Sequence, residues 1–193
     1  GVLIGNLGHL PLVRGLNFHL YGDYGLNVFN SRSLAYLKDK ELESACVSFE
    51  LRFAQIRDLK KVLRAEAIVY GRLPLMIAEN CLVQNETGCR LDRQGPCVPE
   101  DGPCRCGQPN VLVDRTGAAF PLLPAYGHRT EIQNSKPLYL ADRPEHRRLG
   151  LAYARLRFTT ETAEECVSVV QNYLDAAPAA GDFTRGLYER GVE

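Results

Sequence analysis

Short apolar, β-branched runs recur along the chain, and between several of them the apolar residues fall instead at three- and four-residue steps. The first pattern predicts strands and the second amphipathic helices, and their alternation is the rhythm of βα units around a parallel sheet. Six strands are expected: Val2 to Gly5, Phe18 to Tyr21, Ala45 to Ser48, Ala67 to Tyr70, Leu138 to Leu140 and Ala152 to Phe158. Between the second and third, Asn30 or Ser31 is placed to cap a helix that buries Leu34 and Leu37. Between the third and fourth, Phe53, Ile56, Leu59 and Leu63 make a helical stripe. After the last strand, Thr159 or Thr160 is placed to cap a helix with Glu161, Glu164 and Glu165 in its first turn. Negative charge there suits the positive end of the helix dipole. The apolar face of this helix reads Ala163, Cys166, Val167, Val170 and Leu174.

Six strands do not close an eight-stranded barrel, and the chain opens inside the first of them. The expected fold is therefore of the α/β class, the C-terminal part of a TIM-type (β/α) barrel present as a fragment, with an open doubly wound sheet as the alternative. The fourth strand leads into a long cysteine-rich loop, residues 79–110. That is far beyond the usual βα connection of about 2 to 6 residues. A hairpin over residues 111–123, turning at Asp114 to Gly117, follows it. Loop and hairpin read as insertions in a single domain spanning residues 1–193.

Composition narrows the classes. A chain of 193 residues that is 45% hydrophobic and 24% charged has the balance of a globular domain, which excludes disordered and collagen-like chains. Its 23 basic residues equal its 23 acidic ones. No whole-surface attraction to nucleic acid or to an anionic membrane follows, and such a partner would need a local patch. No apolar run approaches the roughly 20 residues that span a bilayer, and the first residues lack a secretory pattern. A cytoplasmic location, with no membrane partner, is the expectation.

Five of the seven cysteines fall in ENCLVQNETGCRLDRQGPCVPEDGPCRCG, residues 79 to 107. In a reducing compartment clustered thiols point to a metal or to catalysis before disulfides. The paired CxxC knuckles of a structural zinc site are missing, so zinc is the alternative. Iron–sulfur clusters tolerate wide, irregular ligand spacing, and an iron–sulfur cluster is the expected cofactor. Spacing alone does not select four ligands among Cys81, Cys89, Cys97, Cys104 and Cys106, and His128 is an alternative nitrogen ligand. Cys46 on a strand and Cys166 on a helix face read as small core residues.

In a parallel α/β fold chemistry gathers at the C-terminal ends of the strands. The second strand is followed by Asp23, Asn27 and Asn30, the third carries Ser48 and Glu50, and the fourth leads to Arg72. Asp23 and Glu50 suit acid or base roles, and Arg72 suits a bidentate grip on carboxylate or phosphate. Asn27 and Asn30 read as turn and cap residues. No HExxH, GxSxG, Walker A or GxGxxG motif occurs.

Several longer stretches carry a resemblance. AEAIVYGRLPLMIAENC at 65 to 81, DRTGAAFPL at 114 to 122, HRTEIQNSKPLYLADR at 128 to 143 and FTRGLYERGVE at 183 to 193 resemble the collagenase-like peptidase family U32. GDYGLNVFNS at 22 to 31 and SFEL at 48 to 51 are similar to its preceding barrel strands. The resemblance implies a TIM-type barrel. It also implies an iron–sulfur enzyme that assists hydroxylation of RNA bases, as several members are linked to hydroxylation of RNA bases or a quinone ring, with proteolysis as the reading that the family's name suggests. The family's signature falls on Glu66, Gly71 and Cys81, with Pro74 where its first cysteine stands. Cys81, Cys89, Cys104 and Cys106 are the ligand set the resemblance implies, with Cys97 and His128 as alternatives. The partners implied are RNA or a peptide substrate, together with further barrel strands or a second copy of the chain at the exposed sheet edges.

Overall fold

The computed structural model describes residues 1–87 and 108–191. Among these the chain runs through β1 (Val2–Ile4), α1 (Leu10–Val13), β2 (Leu20–Gly22), α2 (Ser31–Asp39), β3 (Leu42–Cys46), α3 (Phe53–Asp58), β4 (Arg64–Gly71) and β5 (Pro74–Ala78). It continues through α4 (Leu82–Thr87), β6 (Asn110–Val113), β7 (Ala119–Ala125), β8 (Arg129–Gln133), β9 (Leu138–Tyr139), β10 (Tyr153–Leu156) and α5 (Ala163–Asp175). Two compact units result. The first comprises Gly1–Gly71, Leu138–Arg157 and the segment from Ala163 onward; the second comprises Arg72–Pro137 and Phe158–Thr162.

The first unit is α/β. Its sheet runs β1-β2-β3-β4-β10 with every one of these pairs parallel, and β9 pairs antiparallel with β4. Each of the six strands expected from the sequence falls on an observed strand. Ala45, Cys46 and Val47 around the end of β3, and Ala67, Ile68 and Val69 in β4, are all buried. Continuous burial of this kind is what a parallel sheet covered on both faces imposes. Helix α2 forms as its cap predicts: the Asn30 side chain accepts from the amides of Arg32 (3.0 Å) and Ser33 (2.9 Å), and Leu34 and Leu37 are buried.

Two helical expectations need correction. Helix α3 ends at Asp58, so Leu59 and Leu63 lie beyond it. The ammonium of Lys61 donates to the carbonyls of Ile56 (2.6 Å), Arg57 (3.2 Å) and Leu59 (3.3 Å), closing the helix after six residues and sending the chain extended toward β4. Helix α5 forms, but with a different inward face. Val167 and Leu174 are 69% and 71% exposed, Cys166 is only partly buried, and Val169 is the buried residue. The Tyr173 hydroxyl donates to the carbonyl of Val69 (2.5 Å) and accepts from the amide of Leu140 (2.8 Å). That anchor turns the Val169 and Tyr173 side inward, since residues four apart share a helix face. Glu161 precedes the helix and accepts from the amides of Thr159 and Thr160.

The second unit is an antiparallel sheet in the order β5-β8-β7-β6. Residues 111–123 form a hairpin, and its turn is closed by Asp114, whose carboxylate accepts from the amide (2.8 Å) and hydroxyl (2.6 Å) of Thr116 and from the amide of Ala118 (3.0 Å). Gly117 takes the left-handed conformation, φ +85°. Cys81, Val83, Leu122 and Ile132 form the core of this unit, with Leu82 and Phe120 against it. The segment that the sequence marks as a loop, residues 79–110, thus carries α4 near its start, and β5 stands just before it. No helix among the described residues is long and apolar enough to cross a membrane.

Candidate functional site

Asp23 just beyond β2, Glu66 within β4 and Arg155 within β10 form one cluster of ionisable groups in the first unit. Gly22 closes β2, and the next residue, Asp23, donates its amide to the carbonyl of Ile4 (2.8 Å) while its carboxylate accepts from the amide of Tyr24 (2.8 Å). Glu66 stands in β4 beside Cys46 of β3. Arg155 comes from β10, the strand on the far side of β4. Its guanidinium bridges the two carboxylates, pairing with Asp23 through one terminal nitrogen and with Glu66 through the other.

Burial decides what this arrangement can do. The three side chains are only 16 to 22% exposed, so their charges are screened far less than surface charges would be. Two carboxylates against one guanidinium leave a formal charge of −1. Burial raises the Glu66 carboxyl above its usual value, against the opposing pull of Arg155, and the nearby Asp23 adds to the rise. A partly desolvated carboxyl group raised in this way, held against a guanidinium, suits an acid–base role. Cys46 is a different case: burial first, then the negative charge of Glu66 and Asp23, pushes its thiol up to about 12 despite Arg155. It is a core residue, as its strand position suggests, and not a nucleophile.

Gly71 shapes the edge of the site. Its φ is +120°, and a Cβ added there would lie 2.0 Å from the carbonyl oxygen of Arg157. Only glycine fits where β4 ends and that carbonyl passes, which gives the signature glycine a steric reason.

The residues singled out in the sequence separate. Asp23 enters the cluster. Glu50 lies in the turn after β3, where its amide donates to the Ser48 hydroxyl (3.4 Å), and it is not part of the Arg155 bridge. Arg72 belongs to the second unit and donates to the carbonyls of Asn134 (3.0 Å) and Ser135, clamping the chain just beyond β8. Asn27 caps a short turn in the left-handed conformation and Asn30 caps α2. Glu66 and Arg155 are the site residues that residue-by-residue reading missed. Their signal was a charged residue alternating with apolar neighbours inside a strand, as in YARLRF at 153 to 158.

The cysteine-rich segment is anchored at one end. Cys81 is buried in the apolar core of the second unit. The Thr130 hydroxyl holds the chain on either side of it, donating to the carbonyl of Asn80 (3.1 Å) and accepting from the amide of Leu82 (3.0 Å). His128 sits in the turn between β7 and β8 with φ +60°. Cys89, Cys97, Cys104 and Cys106 lie outside the described residues. Among the described residues no group of three or more His, Cys, Asp or Glu side chains is placed to hold a metal ion. A thiol in a fixed, apolar setting fits the role of one cluster ligand, because an apolar shell tunes such centres and limits solvent access.

The profile of peptidase family U32 matches residues 1–113, a stretch that includes Asp23, Glu66, Gly71 and Cys81 but not Arg155. No curated protein and no solved structure matches the chain.

Proposed function

The chain belongs to peptidase family U32, and on that premise we propose that it is an enzyme acting at the Asp23, Glu66 and Arg155 cluster, assisting the hydroxylation of RNA bases with the help of an iron–sulfur cluster. The observation that carries this reading is the partly buried carboxylate pair, from beyond β2 and from within β4, bridged by one guanidinium of β10 in a parallel sheet. We read that five-stranded parallel array as part of a (β/α) barrel, whose chemistry lies at the C-terminal ends of its strands. Replacing a ring C–H by C–OH inserts one oxygen atom and oxidises the base by two electrons. An oxygen-donating co-substrate supplies the atom and is itself reduced by two electrons.

In this reading Glu66, whose carboxyl is raised by burial, holds and releases the proton that moves as the base is activated. Arg155 keeps both carboxylates in place and Asp23 completes its charge balance. Cys81 would supply one thiolate to the iron–sulfur cluster, with three more drawn from Cys89, Cys97, Cys104 and Cys106; zinc on the same thiols is the alternative. When bound, the group supplies one-electron redox capacity.

The test is anaerobic purification followed by the visible absorption spectrum, the iron, sulfide and zinc content, and mass spectrometry of RNA nucleosides after incubation. Brown protein with near-stoichiometric iron and sulfide, lost on Cys81→Ser, and hydroxylated nucleosides lost on Glu66→Gln, would support the proposal. Colourless protein with zinc would replace the cluster by a structural clip. Peptide hydrolysis that thiol blockers abolish, without nucleoside hydroxylation, would replace the proposal by proteolysis.

A further inference from the structure

Two residues on the apolar stripe of α5, Val170 and Leu174, are 42% and 71% exposed. Across from them stand Ala152, just before β10, and Ala154 within it, and their short side chains leave room. A cavity of about 380 Å³ lies between strand and helix, with Leu151 and Leu156 adding to its apolar wall. The rings of His146 and Tyr173, 6.2 Å apart, also line it. Both are fixed: His146 by its bond to the Arg143 carbonyl (2.5 Å), and Tyr173 by its bonds to Val69 and Leu140. All of these residues belong to the first unit.

Charge enters from Arg147. Its guanidinium lines the cavity and donates to the carbonyl of Tyr173 (2.8 Å), one of the last in α5, where the negative end of the helix dipole favours a cation. A guanidinium carries five N–H donors, so this bond leaves others for a ligand. Arg148 follows it in the chain, and no acidic side chain lines the cavity, so an anion meets attraction there without an opposing charge in the wall.

We propose that this cavity binds a small amphipathic carboxylate, its apolar chain against Ala154, Val170 and Leu174 and its charged head on Arg147. The volume falls near the lower end of the roughly 300–1,000 Å³ of ligand sites, and a mostly apolar wall with one charged group is their usual make-up. The apolar chain would cover side chains that the fold leaves in water, and the head would gain charge-assisted hydrogen bonds. The site stands apart from the Asp23, Glu66 and Arg155 cluster, and it does not depend on the reaction proposed there. Ala154 and Arg155 are neighbours in β10, and successive side chains of a strand face opposite sides of its sheet.

The experiment is equilibrium dialysis of the full chain against labelled octanoate, with octanol, octylammonium and butanoate as competitors. One saturable site is expected, at which octanoate binds about tenfold more tightly than octanol, with octylammonium weaker still. Butanoate, which buries fewer methylenes, should bind at least about tenfold more weakly than octanoate. Arg147→Gln should bring octanoate down to the affinity of octanol. Ala154→Leu, which fills the cavity, should weaken octanoate and octanol alike by about tenfold. No saturable binding, octanoate bound no better than octylammonium, an unchanged preference for octanoate in Arg147→Gln, or Ala154→Leu binding as the parent does would each overturn the site. Thermal unfolding shows whether each variant folds, and the comparison of octanoate with octanol and octylammonium needs no variant.

Discussion

Single residues already separate packing roles from chemical ones. Gly71 and Gly117 both have positive φ, +120° and +85°, but only Gly71 has a backbone oxygen where a side chain would begin, while nothing lies within 4 Å of the built Cβ at Gly117. Gly117→Ala is expected to cost about 1 kcal/mol from backbone strain, whereas Gly71→Ala should cost about 3 kcal/mol or more, measured by urea unfolding. Equal costs would show that the Arg157 carbonyl is free to move. His146 gives a pH prediction. Its ring is buried, its Nδ1 donates to the carbonyl of Arg143 (2.5 Å), and burial lowers its pKa from the usual 6.5. The folded state therefore binds the proton less tightly than the unfolded chain. The stability this confers is present above the unfolded value and is lost as the pH falls below about 6.5. His146→Gln should flatten the fall of the unfolding free energy below about pH 6.5, and a slope unchanged by the substitution would assign it to other groups. Asp23 was legible in the sequence as a polar group at a strand end. Its partner Arg155, 132 residues along the chain, was not, because a pairing between distant strands leaves no spacing to read.

At the scale of elements the same sequence patterns succeeded and failed for identifiable reasons. The strands and α2 were legible because burial on both sheet faces and a capping asparagine are local signals. Asn30→Ala should lower stability by about 1 kcal/mol, seen in chemical unfolding, since two amides lose their acceptor. Helix α5 was legible as a helix but not in its orientation. Its anchor is the Tyr173 hydroxyl, which bridges β4 and the end of β9, and periodicity records apolar residues and not a single hydrogen-bonded oxygen. Tyr173→Phe leaves the Leu140 amide without this acceptor and is expected to cost about 1–3 kcal/mol. Val167→Glu and Leu174→Glu, on the exposed side, should change stability by no more than about 0.5 kcal/mol. A larger loss at Leu174 than at Tyr173 would reverse the assignment of faces.

The two compact units differ in how much each buries. The first has long buried runs in β3 and β4, together with the fully buried Tyr188, whose hydroxyl donates to the carbonyl of Ile68 (2.6 Å). Among the described residues the second has a small core built on the cluster of Cys81, Val83, Leu122 and Ile132. Amides of β3 and β4 are therefore expected to exchange with solvent much more slowly than those of β7 and β8, as read by hydrogen exchange with mass spectrometry. Equal protection would mean that the units open together. The sequence by itself determined the six strands of the first unit, helix α2, the α/β class and the family, because periodicity, caps and short motifs are written in neighbouring residues. The tertiary structure alone decided which charges meet. Asp23, Glu66 and Arg155 come from β-segments far apart in the chain, and only the order β2-β3-β4-β10 in one parallel sheet brings two carboxylates onto a single guanidinium. Within the second unit it likewise set Arg72 against the backbone carbonyls of Asn134 and Ser135, since a side chain's role is set by which partners the fold places within hydrogen-bond reach.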